Sequence, residues 1–163
     1  MTWQFRRAAP GDLERIMALE TSIFASDAWS AETMRGELEN PHCWYLVAFR
    51  PQTPNQLDGY AGVLAPLGAK EADIQTIAVA PDVRRAGLGR TMMLVLINEA
   101  AKRGAQEVFL EVRADTPGAQ ELYRTLGFEQ LAVRKRYYQP DGVDAIVMRL
   151  TVVAREPGLA EVS

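Results

Sequence analysis

The chain has few of the side chains that build disulfides, metal sites and catalytic triads. Its 163 residues include one cysteine, Cys43, and one histidine, His42. A single cysteine excludes an internal disulfide and a cysteine-rich zinc site, and with one histidine we expect no histidine-based metal site or Ser-His-Asp triad. No metal is therefore predicted. Because a strand would direct His42 away from Cys43, this thiol is expected to be a buried structural group rather than a nucleophile.

Long apolar runs and an excess of positive charge are missing as well. No apolar stretch reaches the roughly 18 residues that a membrane span needs. Residues 1–10 lack the apolar segment that follows the charged start of a signal peptide. The net charge of −3 argues against broad binding to nucleic acid, which requires a basic surface. These features predict a cytoplasmic protein, a monomer or weak oligomer, that binds neither nucleic acid nor membranes.

The pattern of apolar residues predicts a single α/β domain. The composition, 48% hydrophobic and 24% charged, is sufficient for a folded core. Strand-like and helix-like periodicities predict the element order βααβββαβαββ. Early hairpins followed by a β-α-β unit favour a mixed central sheet flanked by helices. This domain is expected to cover residues 1–151, and residues 152–163, which show no periodicity, are expected to be a loose tail.

The segment 79–90 joins a predicted strand to a predicted helix through a turn that contains two glycines and three arginines. The first N–H groups of a helix lack intrahelical partners, and the helix dipole adds positive potential, so this turn predicts a site for a phosphorylated cofactor. Its spacing, Arg84-x-x-Gly87-x-Gly89, does not match a dinucleotide fingerprint, because Met92 occupies the third glycine position, and the chain has no P-loop. The alternative is a surface turn with two helix-permissive glycines.

Two polar residues lie within otherwise apolar patterns. Glu111 is part of the predicted strand 107–113, on the face opposite Leu110 and Val112. An acid in that position needs water or a partner, and the alternative to a chemical role is an ion pair with Arg113 or a lysine. Tyr123 lies on the apolar stripe of the following helix, where a tyrosine is usually part of the core. Spacing alone leaves both interpretations open.

Several strings resemble one enzyme family. The glycine turn resembles the R/Q-x-x-G-x-G/A loop of the GCN5-related N-acetyltransferases (GNAT). The string L-E-V-R-A at 110–114, followed by L-Y-x-x-L-G-F at 122–128, resembles the bacterial ribosomal-protein alanine N-acetyltransferases, the RimI group. Asp12, Trp29-Ser30, Arg134-x-x-Tyr137-Tyr138 and residues 144–148 are similar to that group too. The resemblance covers roughly residues 2–151.

The resemblance implies a single-domain GNAT fold and an enzyme that moves acetyl from acetyl-CoA to the N-terminal amine of a protein. It implies a ribosomal protein with an N-terminal alanine as the acceptor, and direct transfer in a ternary complex. Glu111 would act as base through a water molecule, and Tyr123 as the acid for the leaving CoA thiolate. Trp29, Tyr137 and Tyr138 would contact the acceptor. The residues implied in binding the cofactor are Ile77, Ala78 and Val79 on a bulged strand beside the acetyl group, Arg84, Arg85, Ala86, Gly87, Leu88, Gly89 and Arg90 around the pyrophosphate, and Thr116 near the pantetheine arm.

The chain departs from the family pattern at two places. Thr116 stands where the family usually has asparagine, and it can be either a pantetheine contact or only a helix cap. The acceptor-side loop, usually F-P-W-S, is longer here and lacks the proline (residues 24–30). Two alternative functions therefore remain: an acetyltransferase for a lysine side chain or a small amine, and a non-catalytic acyl-CoA-binding module. The presence of both Glu111 and Tyr123 argues against the module, because a binding protein needs neither.

Overall fold

Residues 2–152 are described by the computed structural model, and they form a seven-stranded sheet with four α-helices. The strands are β1 (Gln4–Arg7), β2 (Cys43–Phe49), β3 (Leu57–Leu64), β4 (Glu71–Val79), β5 (Glu107–Arg113), β6 (Glu129–Tyr138) and β7 (Val143–Thr151). The helices are α1 (Leu13–Phe24), α2 (Ala31–Glu39), α3 (Leu88–Lys102) and α4 (Pro117–Thr125). This arrangement confirms the predicted α/β fold and its element order.

The sheet is mixed, with the strand order β1-β2-β3-β4-β5-β7-β6, and β4 and β5 form its parallel pair. This pair is short, because it extends only from Glu71 opposite Glu107 to Asp73 opposite Phe109. Beyond that point, within the described chain, β4 continues to Val79 without pairing to β5. The sheet therefore opens into a wedge, which we define as the gap between residues 74–79 of β4 and 110–113 of β5.

Two hydrophobic clusters cover the two faces of the sheet. Side chains of β2 alternate between them, so that Leu46 and Ala48 pack in the cluster that contains α3 and α4. Tyr45 and Val47 pack in the other cluster, with residues of α1 and α2. The wedge is therefore reached by α3 and α4 from one face and by α1 and α2 from the other.

The strand β6 lies at one edge of the sheet and pairs with β7. The pairing is irregular between Arg134 and Tyr138, and Arg136 has a φ of 55°. An irregularity of this kind bends a strand and changes the direction of its side chains. In β6 it comes directly before the turn that leads to β7.

The end of the described chain is attached to the sheet. The backbone N–H of Val152 donates to the carbonyl of Gln106 at 2.8 Å. The rest of the predicted tail, residues 153–163, lies outside the described residues. Among residues 2–152, no helix combines the length and the apolar character required to cross a membrane.

Candidate active site

The β4 side of the wedge presents backbone N–H groups that β5 does not pair with. The N–H of Ala80 donates to the carbonyl of Asp58 in β3, at 2.8 Å. Because successive N–H groups of a strand point to alternate sides, the N–H groups of Ile77 and Val79 point away from β3, toward the wedge. Two hydrogen-bond donors are therefore available where the sequence predicts the acetyl group.

β4 contains a bulge just before residues 77–79. The register against β3 shifts between Ile74 and Thr76, so that Gln75 lacks a partner residue. The side chain of Gln75 is held on the face of the sheet that α1 and α2 cover. There its Oε1 accepts a hydrogen bond from the Tyr45 hydroxyl at 2.7 Å. This side-chain anchor, which local sequence does not reveal, explains why the extra residue lies at 75.

The glycine turn ends at the first residue of α3 and leaves backbone donors free. Gly87 is the N-cap residue, with a φ of 87°, and the first helical bond runs from the N–H of Thr91 to its carbonyl. The N–H groups of Leu88, Gly89 and Arg90 therefore have no acceptor within the helix. A Cβ on Gly87 would meet no atom within 4 Å, so open space lies beside it. These features fit an anionic, phosphorylated co-substrate.

The three arginines of the turn differ in their hydrogen-bond partners. The Nε of Arg84 donates to the carbonyl of Val79 at 3.1 Å, and Arg90 donates to the hydroxyl of Thr125 in α4 at 3.0 Å. Arg85 forms no hydrogen bond or ion pair with any residue in the range 2–152, and it adopts a φ of 65°. Arg85 is therefore free to contact a phosphate, while Arg90 joins the start of α3 to the helix that carries Tyr123.

A cleft of about 620 Å³ lies on the side of the wedge away from the glycine turn, and we refer to it as the acceptor cleft. Four of its lining residues were predicted as site residues from the sequence: Trp29, Glu111, Tyr137 and Tyr138. The lining also includes polar residues that the site prediction missed, namely Glu71, Asp73, Gln75 and Arg134. The glycine turn, Thr116 and Tyr123 are not part of this lining. The predicted acceptor residues and the predicted base are thus gathered in one cleft, apart from the predicted cofactor residues.

Glu111 faces this cleft from β5. Its neighbours Leu110 and Val112 are buried, whereas 33% of the Glu111 side chain remains exposed. Its carboxylate pairs with the guanidinium of Arg134 at 3.2 Å. The partner suggested by the sequence, Arg113 or a lysine, was wrong, because Arg134 reaches it from β6. The carboxylate is consequently both paired and open to water.

Tyr123 has a buried ring and an unbonded hydroxyl. Its side chain packs edge to face against Phe128, with ring centroids 6.0 Å apart, and the residue is only 7% exposed. Among residues 2–152, none forms a hydrogen bond with its hydroxyl. Burial raises the pKa of Tyr123 to about 12, with a smaller contribution from Tyr138. The phenol is therefore neutral near pH 7 and keeps a proton to donate.

Tyr138 interacts electrostatically with both predicted catalytic residues. Burial, and then the nearby charge of Glu111, raise the pKa of Tyr138 to about 12. The same tyrosine contributes to the raised pKa of Tyr123. Its ring packs against Tyr137 at a centroid distance of 5.1 Å. Tyr138 therefore interacts electrostatically with both Glu111 and Tyr123.

Two further residues are held by structural hydrogen bonds. The hydroxyl of Thr116 donates to the carbonyl of Arg113 at 2.8 Å, so only its lone pairs remain for a pantetheine contact. The thiol of Cys43 is buried and lies 3.0 Å from the carboxylate of Glu37. Burial, and then this carboxylate, raise the pKa of Cys43 to about 12. A thiol that stays protonated is a poor nucleophile.

The comparisons with other proteins agree with this geometry. Residues 12–128 match the acetyltransferase (GNAT) family. The N-alpha-acetyltransferase RimI of Mycobacterium tuberculosis is 37% identical over 141 residues, which cover 85% of each chain. The crystal structure of the ribosomal-protein-S18-alanine N-acetyltransferase from Escherichia coli aligns with a TM-score of 0.83 at 31% identity, over 97% of this chain and 99% of that one.

One relative is much longer than the region it shares with this chain. The uncharacterized protein ML0378 of Mycobacterium leprae is 38% identical over 143 residues, which are 86% of this chain but 38% of that protein. The family match and the similarity to the Mycobacterium tuberculosis relative over 85% of each chain confirm the predicted fold and the prediction of an acetyl-CoA-dependent N-acetyltransferase. This chain belongs to the acetyltransferase (GNAT) family.

Proposed function

We propose that the protein transfers acetyl from acetyl-CoA to the N-terminal amine of a protein, and that the acceptor is a ribosomal protein that begins with alanine. The observation that carries the proposal is the wedge, which has free N–H groups at the start of α3 on one side and the cleft of Glu111 on the other. The names of two relatives that match over most of their length, an N-alpha-acetyltransferase and a ribosomal-protein-S18-alanine N-acetyltransferase, support this acceptor.

On the donor side, acetyl-CoA supplies an activated thioester, and the chain supplies anion binding and orientation. The free N–H groups of residues 88–90, together with Arg85, would hold the pyrophosphate. Leu88 contributes only its backbone, because its side chain is buried in the core. The N–H groups of Ile77 and Val79 would stabilise the negative charge that develops on the carbonyl oxygen during transfer.

On the acceptor side, the amine must lose a proton before it can attack. An N-terminal ammonium group has a pKa of about 8, so a mild base is sufficient at neutral pH. Glu111 lies in the acceptor cleft, is open to water and can take this proton through a water molecule. Trp29, Tyr137 and Tyr138 would orient the first residues of the peptide, and holding both substrates together lowers the entropy cost of reaction.

The departing thiolate requires a proton, and Tyr123 would donate it. Its hydroxyl forms no hydrogen bond within residues 2–152 that would have to break first. Its helix is tied to the start of α3 through Arg90 and Thr125. The acid would therefore stand on the cofactor side and the base on the acceptor side, as direct transfer in a ternary complex requires.

A screen of acceptors tests the proposal directly. Release of free CoA thiol should be fast with a short peptide that begins with alanine. It should fall to background with the same peptide blocked at its N-terminus and carrying an internal lysine, and with small amines. Faster release with lysine or a small amine would favour the alternative acceptors. No release with any acceptor, despite acetyl-CoA binding, would favour the non-catalytic module.

Substitution of Gly89 tests the cofactor site. In the folded chain a Cβ at this position would lie 3.6 Å from Leu122 and 3.7 Å from Val79, which is ordinary contact. Gly89→Val should therefore fold but weaken acetyl-CoA binding by about tenfold or more, because its methyl groups obstruct close approach of the pyrophosphate. The measurement is isothermal titration, with Gly36→Val in α2, where a Cβ has nothing within 4 Å, as the control. Near-native affinity of the Gly89 variant would overturn this assignment.

Removal of the carboxylate charge tests the base. Glu111→Gln should lower turnover by about 10²–10⁴ if Glu111 accepts the proton, with little change in acetyl-CoA affinity. Glu107→Gln is a matched control, because Glu107 is on the same strand, is 34% exposed and pairs with Arg149 at 3.5 Å. Equal turnover of the two variants would assign Glu111 to an ion pair only.

Removal of one hydroxyl tests the acid. Tyr123→Phe should keep its melting temperature, since no hydrogen bond to residues 2–152 is lost, while turnover falls by about 100-fold. The raised pKa favours the neutral phenol in the folded state, so its contribution to stability is complete below pH 10 and is lost as the pH rises through about 12. Accordingly, kcat should show no decline from this group below pH 10. A stable variant with normal turnover would contradict the role.

The single cysteine provides a test of direct transfer. Cys43→Ala should retain turnover, because a buried thiol with a pKa of about 12 cannot form an acetyl-enzyme at a useful rate. Intact mass spectrometry during turnover should show no acetylated protein. Acetyl trapped on Cys43 at a rate that matches turnover would be incompatible with a ternary complex.

A further inference from the structure

Arg113, the last residue of β5, contacts carboxylates from three separate segments. It pairs with Asp27 in the 3-10 turn between α1 and α2, with Asp115 at 3.0 Å, and with Asp141 in the turn between β6 and β7 at 2.5 Å. Asp27 is 86 positions away in sequence and Asp141 is 28 positions away. These pairs therefore fix the relative positions of distant segments.

The segments that Arg113 joins are those that form the acceptor cleft. The segment between α1 and α2 supplies Trp29 to the lining, β5 supplies Glu111, and the end of β6 supplies Tyr138. The guanidinium also lies 5.0 Å from the ring centroid of Tyr138. Arg113 itself does not line the cleft. It acts on the cleft through the residues that do.

This set of contacts uses the shape of a guanidinium. Its five N–H donors form a rigid fork, and here Nε and both Nη atoms donate to carboxylates, whereas an ammonium is a compact point charge on a flexible stem. The hydrogen bonds of Asp115 and Asp141 raise the pKa of Arg113 above its already high value, and Arg113 lowers the pKa of both aspartates. Arg113, Asp115 and Asp141 consequently stay ionised across the neutral range.

We propose that Arg113 is a positioning residue that sets the width of the acceptor cleft. It holds the segment that carries Trp29 and the turn after Tyr138 at a fixed separation on either side of Glu111. A second anchor, the bond from the N–H of Trp29 to the carboxylate of Glu20 at 2.9 Å, fixes only the first of these segments. The proposal rests on the proposed function, because the acceptor peptide is the ligand whose binding it determines.

Steady-state kinetics separate positioning from general stability. Arg113→Lys and Arg113→Gln should raise KM for the alanine peptide by about tenfold, while KM for acetyl-CoA changes less than about twofold. Asp27→Asn and Asp141→Asn should each raise the peptide KM, and should add little to Arg113→Gln, since all three act through one network. Arg149→Lys is the matched control, because Arg149 pairs with Glu107 at the other end of β5. It should leave both KM values unchanged.

Hydrogen exchange gives a readout that does not depend on the acceptor. In Arg113→Gln, the amides of residues 25–30 and of residues 139, 141 and 142 should exchange at least about tenfold faster, while those of α3 keep their rates. Unchanged exchange in both segments would overturn the proposal, as would equal rises in both KM values with a lowered melting temperature. If no peptide is acetylated by the native chain, the proposed function fails, and the exchange rates alone decide whether Arg113 holds the two segments.

Discussion

The short pairing between β4 and β5 is the constraint on which the rest of the structure depends. The two strands are parallel for three residue pairs and then separate, although each continues beyond that point. The glycine turn begins where β4 ends, and α4 begins just after β5 ends. If the strands remained paired, the N–H groups of Ile77 and Val79 would be used within the sheet. The N–H groups that we propose as donors to the thioester oxygen are left free because the sheet is incomplete.

Packing on the face covered by α1 and α2 stabilises the bend in β4 at which this sheet opens. The ring of Tyr45 lies across Gly62, where a Cβ would come within 2.2 Å of the ring atom Cζ. From that position the Tyr45 hydroxyl reaches Gln75, the bulged residue, whose amide nitrogen also donates to Glu37 at 3.2 Å. A glycine, a tyrosine and a glutamine on three adjacent strands thus determine where β4 bends. Glycine at position 62 makes room for the Tyr45 ring, and the Tyr45 hydroxyl in turn holds the bulged residue Gln75.

The parts of this structure that depend on local pattern were predictable, and the parts that depend on distant contacts were not. Element order and the exposed position of Glu111 follow from periodicity, which the sequence displays. The partner of Glu111 does not, because Arg113 is the same-face neighbour in sequence but is already bound to three aspartates. Arg134 pairs instead, from the outer strand of the sheet. The exact position of the bulge in β4 is hidden from the sequence for the same reason, since Gln75 is fixed by side chains from other elements.

The irregular edge of the sheet has a consequence for solubility. β6 is ten residues long, and its side chains Leu131 and Val133 are 48% and 41% exposed. A straight edge of this length and character would be a template for strand addition and aggregation. The left-handed backbone at Arg136 interrupts the edge, and charged side chains at 134–136 make it a poor partner for another strand. The irregular backbone just before the two cleft tyrosines therefore also makes this edge, within residues 2–152, a poor template for strand addition.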